Sequence, residues 1–168
     1  RDDLAVWSTG DGATWERLEL SGERATGNRG LVVADAALSP AGVVLVGNEF
    51  GSDGRFPAIW FSPDGVSWER PDTGIAFEGE LVSVAATESG FIAVGHTRSD
   101  DGTRPLVLLS GDGRTWYHDD GAAFVIEGAR FSGLTAVGVH GDLVVVGGRV
   151  TYLDDYSDVV VWAGLVGP

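Results

Sequence analysis

The 168-residue chain contains no cysteine, no methionine and no lysine. Without cysteine there is no disulfide, no thiolate metal site and no thiol nucleophile. The missing methionine leads to the expectation that residues ahead of Arg1 were removed or left out. Prolines number only 6 and sit near the ends of apolar segments, which excludes collagen-like and polyproline readings. The longest apolar runs, 143–146 and 159–163, are strand-length. A helix that spans a bilayer needs about 20 such residues in a row, so no membrane span is expected. Positive charge is also scarce, with 11 basic residues (all arginine) against 25 acidic ones, for a formal net charge of −14. Such a surface repels phosphate, so nucleic acid and anionic membrane surfaces are poor partners.

The chain does have glycine, 26 of it, together with 43% hydrophobic residues and a mean hydropathy of +0.09. In a valine- and tryptophan-rich chain, that glycine reads as many tight turns between short strands. Self-comparison supports this. Thr9-Gly-Asp11-Gly12-Ala-Thr14-Trp15, Ser62-Pro-Asp64-Gly65-Val-Ser67-Trp68 and Ser110-Gly-Asp112-Gly113-Arg-Thr115-Trp116 share one pattern, at spacings of 53 and 48 residues. A decayed fourth copy follows Trp162, with Val166 in place of the aspartate. A second ladder of apolar runs ending in glycine, 43–47, 91–95 and 143–147, keeps nearly the same period.

Between these markers, strand-like runs follow one another without helical periodicity. The predicted strands are 31–38, 43–47, 56–61 and 66–70, then 81–86, 91–95, 105–109 and 115–118, then 134–139, 143–149 and 158–163. Residues 4–7 and 14–20 supply two more. The prediction is therefore an all-β fold: a β-propeller of about three four-stranded antiparallel blades, forming a partial ring. Residues 1–20 end one blade, 31–71 and 80–118 are the second and third, and 131–168 are an incomplete last one.

The Asp–Gly pair is a hairpin-turn signal, because glycine accepts a positive φ and aspartate accepts hydrogen bonds from turn amides. The hydroxyls of Ser62 and Ser110 can add local bonds. Trp15, Trp68 and Trp116 are each expected to fold back over the turn and become buried. Equivalent copies in turns make these aspartates structural rather than catalytic or metal-binding.

These segments resemble the Asp-box (bacterial neuraminidase) repeats found in sialidases, related glycosidases and many non-enzymatic propellers. The resemblance spans essentially the whole chain, with boxes one residue shorter than the commonest form. It implies the fold and places the boxes away from any active site. Sialidases would add an arginine triad, an Arg-Ile-Pro segment, a Tyr/Glu nucleophilic pair and an Asp acid. Arg55-Phe56-Pro57 resembles the Arg-Ile-Pro element, but Arg104-Pro105 occupies nearly the same place one blade later. No catalytic set can be assigned, and no cofactor or metal is implied.

Up-down topology places the Asp turns on one face and the second-to-third strand loops with the inter-blade links on the other. The loops expected to carry recognition are 48–55, 96–104 and 148–157, with links near 21–30, 72–79 and 119–130. The candidate binding residues there are Arg55, His96, Arg98, Arg104, Tyr152, Asp154, Asp155 and Tyr156. Aromatic rings beside carboxylates can stack on sugars or hold a cation through oxygen ligands, although the segment 152–158 reads more simply as a solvated hairpin tip. The expected function is non-catalytic binding of protein or carbohydrate, outside the cell or in its envelope. The alternative is part of a sialidase-like glycoside hydrolase whose site other blades complete. Three repeats fall short of a closed ring, so a homodimer or additional blades are expected to complete it.

Overall fold

The structure is a computed structural model that describes residues 4–19, 21–22, 30–99, 102–154 and 156–165. Among the predicted features, Asp155, Val166, the 100–101 tip and most of the 21–30 link lie outside the described residues. Alternating apolar side chains with glycines at the turns give a chain of strands: β1 (Trp7–Ser8), β2 (Glu16–Arg17), β3 (Ser21–Gly22), β4 (Gly30–Ser39), β5 (Gly42–Gly51), β6 (Gly54–Ser62) and β7 (Ser67–Trp68). They continue as β8 (Gly79–Thr87), β9 (Gly90–Ser99), β10 (Gly102–Ser110), β11 (Tyr117–Asp119), β12 (Ala129–His140), β13 (Leu143–Tyr152) and β14 (Ser157–Leu165). Among the described residues the only helical element is a three-residue 3-10 turn, Ala122–Phe124, and no helix is long and apolar enough to cross a membrane.

These strands form the blades of a partial propeller. β1 and β2 make the end of a first blade. The second is β4-β5-β6, extended outward by β7 through a Phe61–Glu69 bridge and then by the parallel strand β3. β8-β9-β10-β11 is a four-stranded third blade, and β12-β13-β14 is the fourth. A single parallel bridge, Thr103 to Phe131, ties the third blade to the fourth.

Successive side chains of a strand point to opposite sheet faces, and each blade uses both to meet its neighbours. Val44, Val46, Ile59 and Phe61 of the second blade pack against Leu81, Phe91, Ala93, Leu106, Leu108 and Trp116 of the third. The opposite face of the third blade, Ile92, Val94 and Val107, packs against Leu134, Val146 and Trp162 of the fourth. Ala58, Trp60 and Trp68 meet Leu4 and Val6 of the first blade. The core is thus three interfaces between blades.

The inner strands β4, β8 and β12 each carry a bulge, after Val33, Leu81 and Leu134. Gly47 and Gly95 lie opposite the first two. A Cβ on Gly47 would sit 1.9 Å from the Val32 carbonyl oxygen, and one on Gly95 would sit 1.8 Å from that of Glu80. This is why those apolar runs end in glycine. In the fourth blade Leu134 pairs with Gly148 and Ala136 with Gly147. Gly148 is therefore the counterpart of Gly47, and the sequence alignment of 143–147 with 43–47 is corrected by one residue.

Two further expectations change. The supposed long loops are mostly strand, since β5 and β6 stay paired up to Gly51–Gly54, and β9 and β10 up to Ser99–Gly102. Polar residues such as Asn48 and Glu49 continue the ladder beyond the apolar run. Trp15 is 60% exposed, whereas Trp68 is 5% and Trp116 7%. The latter two reach into the interface with the preceding blade, and among the described residues no blade stands on that side of Trp15.

Candidate functional site

The three Asp–Gly turns share one hydrogen-bond pattern. The Asp11, Asp64 and Asp112 Oδ1 atoms accept from the amides two and three residues on, at 2.6–2.8 Å. The Thr9, Ser62 and Ser110 hydroxyls accept from the Gly12, Gly65 and Gly113 amides at 2.8–2.9 Å. Thr14, Ser67 and Thr115 donate to the second carboxylate oxygen. The three glycines adopt φ of 73°, 78° and 75°. Trp68 and Trp116 Nε1 each donate 3.0 Å bonds to the carbonyls of Gly65 and Gly113. These carboxylates sit well below the usual range, Asp11 and Asp64 at about 2, chiefly because backbone amides stabilise the charged form. With both oxygens engaged by its own turn, each is an acceptor for local structure.

The opposite face carries a cleft of about 280 Å³ between the second and third blades. Its wall from the second blade is the β5–β6 hairpin end, with Phe50, Gly51, Gly54 and Arg55. The other wall is the start of β8 and the end of β9, with Glu78, Gly79, Glu80, His96 and Arg98. Arg55 Nη1 donates across the blades to Glu80 Oε1 while its guanidinium lies 4.4 Å from the centroid of Phe50. His96 Nε2 is 3.9 Å from the same Glu80 oxygen. The Arg98 amide donates to the Glu78 carbonyl at 2.8 Å. A Cβ on Gly54 would sit 2.5 Å from Glu78 Oε1, so the carboxylate lies against the hairpin tip only because that tip is glycine.

Burial holds the His96 imidazole below its ordinary value. Glu80 draws it up, and Arg98 and Arg55 push it down. Near neutral pH it is therefore an uncharged ring that can both donate and accept a hydrogen bond. The cleft combines guanidinium donors, carboxylate acceptors, an imidazole and a phenyl ring. Among the described residues lining it there is no serine, threonine or tyrosine nucleophile.

Three sequence-predicted residues, Arg55, His96 and Arg98, thus come together, and three others complete the cleft without having been foreseen: Phe50, Glu78 and Glu80. A period-two glutamate pair around Gly79 was the available signal for the last two. Arg104 is elsewhere. Pro57 pairs with Asn48 and Pro105 with His96, so Arg104 matches Phe56 in register, and Thr103 matches Arg55. The two arginines occupy opposite faces of their respective blades, and the likeness of their sequence contexts is a coincidence of the neighbouring proline.

Tyr152, Asp154 and Tyr156 sit at the β13–β14 hairpin of the fourth blade, apart from the cleft lining. The Tyr152 amide donates to the Tyr156 carbonyl at 2.8 Å, and the Asp154 carboxylate accepts the Tyr156 amide at 3.3 Å. That carboxylate caps its own turn, and the Tyr156 ring is exposed. Among the described residues no group of three or more histidines and carboxylates is arranged to hold a metal.

The sequence matches no protein-family model and no curated protein. In fold it is similar to a GH32 β-fructofuranosidase of Bombyx mori, solved as a mutant in complex with sucrose, with a TM-score of 0.54 and 14% identity over 98% of this chain and 40% of the other. A structure described as a glycoside hydrolase matches with a TM-score of 0.47 and 13% identity over 96% of this chain and 61% of its own. The chain spans less than two thirds of either protein. At this identity the likeness is one of fold, an all-β propeller segment.

Proposed function

We propose that the chain is a non-catalytic recognition segment that binds carbohydrate in the cleft between its second and third blades. The observation that carries this reading is the cross-blade set of Arg55, Glu80, His96 and Glu78 around Phe50. Sugar hydroxyls both donate and accept, and their carbon faces are apolar, so they suit a site offering fixed donors, fixed acceptors and a ring edge. The Arg55–Glu80 pair holds both groups in place before a ligand arrives, which lowers the ordering cost of binding. The fold likeness to a protein solved with sucrose is consistent with this chemistry.

Glycan-array screening followed by calorimetric titration tests the reading. Arg55→Ala and Glu80→Gln are each expected to weaken the strongest hit about tenfold, the worth of one charge-assisted hydrogen bond. A hit unaffected by both substitutions would place recognition elsewhere, and capture of a protein without any glycan would redirect it to a protein partner. A second reading, a portion of a glycoside hydrolase completed by other blades, is favoured by the same fold likeness. It predicts turnover of a fluorogenic glycoside panel that is abolished by Glu78→Gln or Glu80→Gln.

A further inference from the structure

Asn48 is a buried polar side chain, 4% exposed, set where the second blade meets the third. Its Nδ2 donates to the Leu81 carbonyl at 3.1 Å, and its Oδ1 accepts the Leu81 amide at 2.9 Å. A carboxamide offers a donor and an acceptor side by side, so it pairs with one residue of a strand edge as a neighbouring strand would. Leu81 is itself fully buried, and either of its backbone groups left alone there would be a costly unsatisfied one.

This pair lies one step below the cleft on both of its walls. In the β5–β6 hairpin Asn48 stands opposite Pro57, and the next rung on the same face is Phe50 opposite Arg55. In β8, Leu81 directly follows Glu80, and the strand bulges between Leu81 and Ser83. The Arg55–Glu80 ion pair is thus the next cross-blade contact along from the Asn48–Leu81 pair. Arginine is long, rich in rotamers and here half-exposed, so it does not by itself set the distance between two backbones. A short, buried amide bonded at both ends does.

The position is specific to this junction. Pro57, Pro105 and Val159 are equivalent in register, and they stand opposite Asn48, His96 and Arg149. Among the described residues an amide therefore occupies it only between the second and third blades, which is the junction that carries the cleft.

We infer that Asn48 is the positioning residue of the cleft: its paired bonds to Leu81 set Glu80 against Arg55 and so fix the spacing of acceptor and donor that a ligand meets. Asn48 is not part of the cleft lining and acts through the other two. The consequence for binding rests on the carbohydrate reading above, whereas the placing of Arg55 and Glu80 does not.

Titration of His96 by NMR reads that placing without a ligand. The charged groups around its imidazole are Glu80, Glu78, Arg55 and Arg98, of which Glu80 draws it up and the two arginines push it down. Asn48→Leu keeps a similar volume but neither bond, so Arg55 should part from Glu80. The carboxylate is then left to the imidazole and the guanidinium withdraws, so His96 should titrate higher than in the wild type. His118 and His140 lie outside the cleft lining and serve as unmoved internal references. Arg55→Ala should raise His96 likewise, and combining it with Asn48→Leu should add little, because both act through one contact. Val46→Ala at the same interface should lower stability and leave His96 where it was, since lost stability alone does not alter a native-state titration. On glycan arrays the Asn48 variant should bind the strongest wild-type hit at least about tenfold more weakly, as Arg55→Ala does. If Asn48→Leu loses the wild-type circular dichroism spectrum, Asn48→Ala replaces it. An unmoved His96, shifts fully additive with Arg55→Ala, or a hit held with undiminished affinity would each overturn the proposal. A wild type that binds no glycan counts against the carbohydrate reading instead, and the titration then decides the positioning alone.

Discussion

Alanine at each of the three turn tryptophans separates sequence equivalence from structural equivalence. A fully buried tryptophan removes about 150–250 Å² from water, which at about 25 cal/mol per Å² is worth roughly 4–6 kcal/mol before the compactness of the unfolded chain is counted. Trp116 and Trp68 are almost wholly buried, and each also donates a hydrogen bond to a turn carbonyl. Trp116→Ala and Trp68→Ala should therefore each cost about 3–5 kcal/mol, the usual range for deleting a large core aromatic. Trp15 is 60% exposed, and the same scaling leaves it roughly 2 kcal/mol. Urea denaturation followed by circular dichroism measures all three. The thermal midpoint should fall by about 6–20 °C for the buried pair, at roughly 2–4 °C per kcal/mol for a domain of this size. Equal losses at all three positions, or an unchanged midpoint for Trp116→Ala, would refute the assignment of these side chains to blade interfaces.

Gly47→Ala must push a methyl into the Val32 carbonyl, and a loss of about 1–3 kcal/mol or more is expected from denaturant midpoints. Gly138→Ala, with open space around its Cβ position, should stay within about 0.5 kcal/mol. Asp11, Asp64 and Asp112 all have folded pKa values below the unfolded one, so their contribution is complete above the unfolded value near 4; for Asp11 and Asp64 it is lost as pH falls through about 2, and for Asp112 it is lost in the same direction. An acid titration of stability should steepen in that window, and Asp64→Asn should flatten it. The His96 imidazole should titrate below its ordinary value by NMR, and lower still in Glu80→Gln, which removes the group that draws it up.

Blade number, turn chemistry and strand order were legible because they are periodic: Asp–Gly followed by tryptophan marks each outer hairpin, and an apolar run marks each second strand. The register of the last repeat was not, since Val146-Gly147-Gly148 offers two glycines and only the bulge after Leu134 selects the second. The cleft was half legible. Arg55, His96 and Arg98 stood out as charged groups at strand ends, but the Glu80 that pairs with Arg55 lies 25 residues away in the next blade. Contacts of that kind depend on how blades are rotated against each other, and no local pattern encodes the rotation. The same holds for Asn48, buried and bonded through both amide atoms to the Leu81 backbone. In sequence it reads as the first residue of a loop.

The bulged inner strands have a consequence for how this molecule opens. β8 and β12 form the inner edges of their blades, so alternate amides point away from their own ladders. The Val84 amide donates to the Asp35 carboxylate at 3.0 Å, and the Val137 amide to the Ser83 hydroxyl at 3.2 Å, each acceptor belonging to the blade before. Burial raises the Asp35 carboxyl, but the Val84 amide, the Ser83 hydroxyl and the Ala36 amide together bring it below its usual value, so it stays an ionised acceptor. Deuterium uptake at those two positions consequently gauges the parting of neighbouring blades rather than the fraying of a strand. One amide reads the second seam and the other the third, giving the molecule a separate internal clock for each.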